Sequence, residues 1–394
     1  MKRPILLLIC FSVCIFSTKA QDSLLWKFAA RSAIYSSPVI DDGIIYFGSN
    51  DSSFYALDKN TGAQKWSYKT KGQLKSQPCI YQGTVIFNSS DGWIYALDKN
   101  NGSLAWRFKA KAEKTYDLWD YYLSSPVVVE ELLYIGSGDS CVYALKAETG
   151  KLVWKYKTMD IVHASPVIAG KKILIGSFDG YFYALDHRTG KLIWKFNTIG
   201  DAYFPKGEIA NAAAVYKNSV IFGSRDYNIY ALDINSGTGL WNMKERGSWI
   251  VATPFVHNDA IYFGTSDSHR FYCMDAGSGD IKWTLPLSMR VYGQAAMNKN
   301  KIFFGCFNGK LYGADHQSGK VEYLFQTPES RARYNSVYAD SDKFKDDFNL
   351  YGNNMEQSEK MILGLGAILS SPLIENDTIY FGDANGYFYC IKLK

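Results

Sequence analysis

The chain has little cysteine, little proline, little net charge and no long apolar run, and each shortage removes a class of protein. Of 394 residues 7 are Cys. Cys10 and Cys14 stand near the start, and the remaining Cys79, Cys141, Cys273, Cys306 and Cys390 are odd in number and form no C-x-x-C pair. A disulfide framework does not suit that pattern. Each of the five lies in a strand-like run, where a free Cys packs as a small apolar residue. The 43 basic and 38 acidic residues leave a net charge of only +5, without the clustered positive charge that binding to nucleic acid or an anionic membrane needs. The one apolar stretch, residues 5–16, is about a dozen long, whereas a membrane-crossing helix needs roughly 20.

That stretch follows Lys2 and Arg3 and ends at Thr18-Lys19-Ala20. It reads as a secretory signal peptide over residues 1–20, leaving a mature domain over residues 21–394 that resides in the periplasm or is secreted. Its removal lowers the net charge from +5 to +2. No small residue precedes Cys10 or Cys14 in the way a lipid-attachment signal requires.

What is abundant is aromatic residues and glycine, with 29 Tyr, 23 Phe, 10 Trp and 33 Gly against 10 Pro, the balance of a β-rich globular protein. They are distributed by a repeat. Tyr55-Ala56-Leu57-Asp58 returns, with variation, at Tyr95, Tyr143, Tyr183, Tyr230, Tyr272, Tyr312 and Tyr389, a period near 40 residues with longer steps where insertions fall. Within one unit, strand A reads over residues 37–40, B over 44–48, C over 54–57 and D over 64–69. The turns between them are Asp42-Gly43, Asn50-Asp51 and Thr61-Gly62. Four antiparallel strands per unit, repeated eight times without helical periodicity, predict an all-β, eight-bladed β-propeller. Residues 24–28 read as a D strand with no blade of their own, and residues 371–393 as A, B and C without a D. The N-terminal strand should therefore pair with the C-terminal three and close the ring, leaving no free sheet edge.

The stretch Ala56-x-Asp58-x-x-Thr61-Gly62-x-x-x-Trp66 recurs around Trp106, Trp154, Trp194, Trp241 and Trp283, with Tyr323 in the seventh copy. It resembles the tryptophan-docking motif of the pyrroloquinoline-quinone-type (quinoprotein-like) propeller family, and the likeness extends over almost the whole mature chain. It implies that each Trp lies between blades, over the Ala of its own motif and a neighbouring Gly, while the Asp holds the C–D turn. These are structural roles. The family has an enzymatic branch, alcohol and sugar dehydrogenases that hold pyrroloquinoline quinone and Ca²⁺ at the axis. It also has a non-enzymatic branch that serves outer-membrane β-barrel assembly by docking a partner protein. The dehydrogenases are longer and often carry two adjacent cysteines, which this chain lacks.

Candidate binding residues come from the approach to strand A. Counting back from Pro38, Pro78, Pro126, Pro166 and Pro254, the fourth positions (Ile34, Leu74, Tyr122, Val162 and Ile250) form a buried face, and alternation places Tyr35, Lys75, Tyr121, His163 and Trp249 on the other. Glu208 and Arg290 stand near the matching place in two copies without the Pro. Lys75, His163, Glu208 and Arg290 about one axis would make a polar pocket rimmed by aromatics, or else a plain water-filled channel. His163 has no partner at a fixed sequence spacing that would mark it as a general base.

The D–A connections carry insertions over residues 109–123, 199–210 and 326–369, all on one face. Trp119, Tyr121 and Tyr122, with Tyr116, give the first an aromatic surface suited to a protein partner or to stacking on a sugar, or else make it a loop packed on itself. The third contains Arg331, Arg333, Tyr334 and Tyr338 before an acidic run, and suits a lid or a docking arm. Asp340-x-Asp342 has Phe344 where a third Ca²⁺ ligand would stand, and Asp51, Asp91, Asp139, Asp179, Asp226, Asp267, Asn308 and Asn385 recur too regularly to be anything but turn residues. The expectation is a monomeric, exported scaffold without catalytic residues, metal or cofactor, docking an envelope protein. The alternative is a dehydrogenase-like or sugar-binding protein that uses the central funnel, with pyrroloquinoline quinone and Ca²⁺.

Overall fold

The computed structural model describes residues 24–111 and 113–393. The expected signal peptide, with Cys10 and Cys14, lies outside the described residues. Eight four-stranded antiparallel sheets surround one axis. In blade 1 strand A is Val39–Asp41, B Ile44–Gly48, C Ser53–Asp58 and D Gln64–Lys69. Strand A starts one residue past Pro38, which has no N–H to give a ladder. Blades 2 to 7 repeat the pattern over residues 79–109, 127–157, 167–197, 214–244, 255–286 and 296–326. Blade 8 takes Leu373–Glu375, Thr378–Gly382 and Tyr387–Lys392 from the C-terminal end and Leu24–Ala29 as its D strand, with Trp26 paired to Cys390 and Phe28 to Phe388. The ring is closed by the chain's two ends, as the repeat predicts.

The docking motif does what its chemistry suggests. In blade 1 Ala56 pairs with Trp66, and the register then slips so that Leu57 pairs with Gln64, which turns the indole toward blade 2. There it lies against Gly102 and donates its Nε1–H to the Lys99 carbonyl at 3.1 Å. Gly102 has φ +74°, and a Cβ on it would fall 2.6 Å from the ring, so both backbone and space call for Gly. Asp58 Oδ1 accepts from the amides of Asn60 and Thr61, each at 3.1 Å. Trp26 turns out to be a further docking residue, with its ring on Gly62 and Nε1–H donating to Lys59 at 3.2 Å. Between blades the core is continuous: Phe54 stacks on Phe87 at 4.1 Å, and across the closure Phe47 stacks on Phe388 at 4.3 Å. The five cysteines beyond residue 23 are free.

Two features depart from the sequence reading. Residues 326–369 contain helix α1 (Pro328–Arg333) and helix α2 (Met355–Leu363), where no helical periodicity had been seen. And the turn acids are not all alike. Asp51, Asp91, Asp139, Asp179 and Asp226 each accept from the Tyr hydroxyl four residues on, at 2.5–2.9 Å. In blade 6 Tyr272 instead donates to Glu245 at 2.6 Å, leaving Asp267 for the axis. In blade 8 Asp383 takes the place expected of Asn385, accepting from Tyr389 at 3.0 Å. Among the described residues no helix is long and apolar enough to cross a membrane.

Candidate functional site at the propeller axis

Each D–A connection brings the chain from the rim to the axis, where it descends as the lead-in to the next strand A. One lead-in side chain per blade packs on a strand-B Gly of the preceding blade: Leu74 on Gly48, Val162 on Gly136, Ile250 on Gly223 and Ile34 on Gly382. That is the buried side alternation predicts. Tyr122 behaves differently, because Asn88 stands where the Gly would receive it. It is half-buried, and its hydroxyl donates to the Leu369 carbonyl at 2.8 Å.

Three of the four charged candidates, His163, Glu208 and Arg290, have partners from the chain's own insertions. His163, 2% exposed, has Nδ1 3.0 Å from Asp120 Oδ1 and Nε2 3.2 Å from Glu113 Oε2, both in the first insertion. Glu208 accepts from the Tyr116 hydroxyl at 2.8 Å. Arg290, 1% exposed, donates twice to Glu359 of α2, at 3.0 and 2.9 Å, and once to the Tyr351 hydroxyl at 3.0 Å. Its Nε stands 3.9 Å from Asp267, which also accepts from Tyr351. The Tyr121 hydroxyl donates to the same Glu359 carboxylate.

Aromatic rings seal this assembly. Tyr121 meets Tyr35 edge-on at 5.6 Å, Trp119 meets Trp249 at 5.6 Å, and Phe204 meets Trp249 at 5.0 Å. The first and third insertions thus fold inward as a plug over the axis. Tyr121 and Trp249 are buried and Trp119 half-buried, so these aromatics face the plug rather than an open surface. Buried Arg225 is part of the same plug: it is held by Asp117 and its guanidinium lies 4.5 Å from the Trp249 ring.

Sequence reasoning missed Glu113, Asp117, Asp120, Arg225, Tyr351 and Glu359. Arg225 could have been found, since the residue before each turn acid forms one column around the ring, and only in blade 5 is it charged. The others sit in insertions with no column to compare.

Burial alone would push the His163 imidazole down, but hydrogen bonds to Asp120 and Glu113 outweigh it and raise the pKa from 6.5 to about 9. A raised folded-state pKa means stability fully present below pH 6.5 and lost as pH rises through about 9. The shift corresponds to on the order of 3 kcal/mol. Urea denaturation from pH 6 to 9.5 is expected to show this fall, and His163→Gln to flatten it. An equal slope in the variant would assign the pH dependence to other groups.

Lys75 alone among the charged candidates keeps its charge unpaired: among the described residues its ammonium has no hydrogen bond or ion pair. Burial lowers its pKa, with Asp120 acting in the opposite sense. It lines a cavity of about 470 Å³ beneath the plug, together with Tyr35, Tyr122 and Tyr292. A smaller opening of about 310 Å³ on the other side of Lys75 is bounded by Asp120, Tyr121 and α2.

A quinone stacked with Ca²⁺ on the axis requires a free carboxylate beside a flat space. Among the described residues no Asp or Glu lines the larger cavity, Glu208 keeps one oxygen without a hydrogen-bond partner but buried beside Tyr116, and there is no group of three potential metal ligands. The residues present do not fit that pair.

The comparisons with known proteins follow this architecture. The BamB structure from Moraxella catarrhalis is 15% identical, with a TM-score of 0.68 over 94% of this chain and 97% of that one. The quinohemoprotein alcohol dehydrogenase from Comamonas testosteroni is 13% identical, with a TM-score of 0.69 over 94% of this chain and 76% of that one. The computationally designed Ika8 protein is 14% identical, with a TM-score of 0.71 over 94% and 100%. At such identities an assembly factor, an enzyme and a design all share the fold, and only the fold is common ground. No curated protein matches the sequence. The family model described as outer membrane protein assembly factor BamB matches residues 15–119, 116–244 and 183–342, and by that match the chain belongs to the BamB-like family of propellers.

Proposed function

We propose that the protein is a non-catalytic scaffold of the bacterial envelope that docks a protein partner, in the manner implied by its family's role as an outer membrane protein assembly factor. The observation that carries this reading is where apolar surface remains. Among the described residues, every exposed large hydrophobic lies on a D strand or on a D–A connection, and the A–B, B–C and C–D turns carry none. On the D–A face Met159 is 79% exposed, Ile199 70% and Tyr203 81%. The two loops that carry them are joined by Lys206 and Asp160 at 2.8 Å. Leu118, Tyr351 and Met355 of the plug are exposed on the same face. Large exposed apolar side chains gathered on one face of a folded protein mark an interaction surface.

The engagement of His163, Glu208 and Arg290 within the plug supports the same reading, since a catalytic group needs access to substrate. The sequence-based export signal and the family's place in the envelope support periplasmic residence. A photo-crosslinking residue at Tyr203 is expected to capture an envelope protein of the outer-membrane assembly machinery, and Met159→Asp with Ile199→Asp to reduce capture at least tenfold. Equal capture from a control position at Gln82, in an A–B turn, would remove the basis for the reading.

A further inference from the structure

The cavity beneath the plug has a chemical bias of its own. Around it stand the residues that precede or replace the strand-A prolines, and four of these are Ser37, Ser125, Ser165 and Ser371. They tie neighbouring blades together. Ser125 Oγ accepts from the Gln77 amide, Ser165 Oγ from the Ser125 amide, Ser371 Oγ from the Gln294 amide and Ser37 Oγ from the Ser371 amide, each at 2.9 Å.

In all four the hydroxyl oxygen is used as acceptor, and among the described residues the O–H is given to no protein group, so its proton is left to donate toward the cavity. Among the described residues Lys75 adds three N–H donors and the only charge, and no carboxylate lines the space. A wall of hydroxyl donors around one unpaired ammonium is complementary to a molecule rich in acceptors and carrying one negative charge. The volume of about 470 Å³ lies within the range of small-molecule sites, roughly 300–1,000 Å³. Tyr35, Tyr122 and Tyr292 line it as well, and tyrosine faces suit the C–H faces of a sugar ring.

We propose that this axial cavity binds a small hydroxylated organic acid of the sugar-acid type, its carboxylate on Lys75 and its hydroxyl and ring oxygens on the serine ring. The site is separate from the apolar D–A face, so the protein has room for a partner and a small ligand at once. The serine ring joins consecutive blades, so occupancy links four of them through one ligand.

The test is calorimetric titration of the mature chain with D-glucuronate, with D-glucose as the neutral molecule of the same ring. Glucuronate is expected to bind and glucose to bind at least tenfold more weakly. Lys75→Met should weaken glucuronate at least tenfold, Lys75→Arg should retain more of the affinity than Lys75→Met, and Ser125→Ala with Ser165→Ala should weaken glucuronate and glucose alike. Among the described residues Lys75 has no hydrogen bond or ion pair to abandon, so Lys75→Met is expected to melt no lower than the parent. No heat with glucuronate, equal binding of glucose, or full affinity in a folded Lys75→Met protein would each overturn the proposal. The partner-docking reading is untouched by any of these outcomes, because Met159 and Ile199 lie outside the cavity.

Discussion

Replacing Glu359 with alanine is expected to lower the free energy of unfolding by about 3–5 kcal/mol, the range for a buried ion pair that loses one member. Arg290 would keep its charge at 1% exposure while losing both of its bonds to the carboxylate. Its Nε already lacks a hydrogen-bond partner, and Asp267 at 3.9 Å is too far to replace them. Tyr121 would lose its acceptor as well. The double variant Arg290→Met with Glu359→Leu removes both charges and keeps most of the volume, so it should fall within about 1–2 kcal/mol of the parent, on either side. Urea denaturation of the three proteins decides it. A single variant as stable as the double would mean that Arg290 finds another acceptor or reaches water. Limited proteolysis gives a second readout, since Glu359 holds α2 to the axis and its loss should expose residues 326–369 to cleavage before the blades.

Deleting Tyr387–Lys392 is expected to abolish cooperative unfolding of the whole ring, not merely to melt one blade. The strand pairs on one side with Leu24–Ala29 and on the other with Thr378–Gly382. Phe388 is the stacking partner of Phe47 in blade 1. Tyr389 bridges Asp383 at 3.0 Å to Glu329 of α1 at 2.6 Å. Without the strand, blade 1 loses a wall and Trp26 loses the sheet that aims it at Gly62, while Leu24–Ala29 becomes a loose segment. Hydrogen exchange read blade by blade should show protection lost in blades 1, 7 and 8 and a broad thermal transition in place of a sharp one. If only blade 8 lost protection, the blades would behave as the nearly independent units of an open repeat array.

The ring was legible in the sequence because its determinants are local and repeated. Tyr-Ala-Leu-Asp, the Gly of the C–D turn and the docking Trp fall within about a dozen residues of one another, and their repetition averages out variation in any one copy. Trp26 was hidden as a docking residue only because its motif is split between the two ends of the chain. The axis was less legible, because its contacts join residues that no short motif relates. His163 lies 43 residues from Asp120 and 50 from Glu113, about one repeat away, because neighbouring lead-ins meet at the axis. Arg290 and Glu359 are 69 apart, and Arg225 and Asp117 108. The helices of the third insertion did leave a trace in their caps. Thr327 before Pro328 accepts from the Ser330 amide at 3.1 Å, and Asn354 accepts from Gln357 at 3.1 Å. A polar N-cap with its partner three residues on marks a helix start even where periodicity is too short to read.

The closing blade also sets the order of events in time. Its outer strand, Leu24–Ala29, is made about 350 residues before its three partners, so the sheet cannot be completed until Lys392 is available. Until its partners are made, this strand's hydrogen-bonding edge is unmet. Contacts of such long sequence separation form slowly, and an unpaired strand is exposed to wrong partners while it waits. Closure of the ring therefore waits on the pairing of Leu24–Ala29 with Tyr387–Lys392, and anything that shields Trp26 and its neighbours until then should raise the yield of native protein more than it raises the stability of the finished ring.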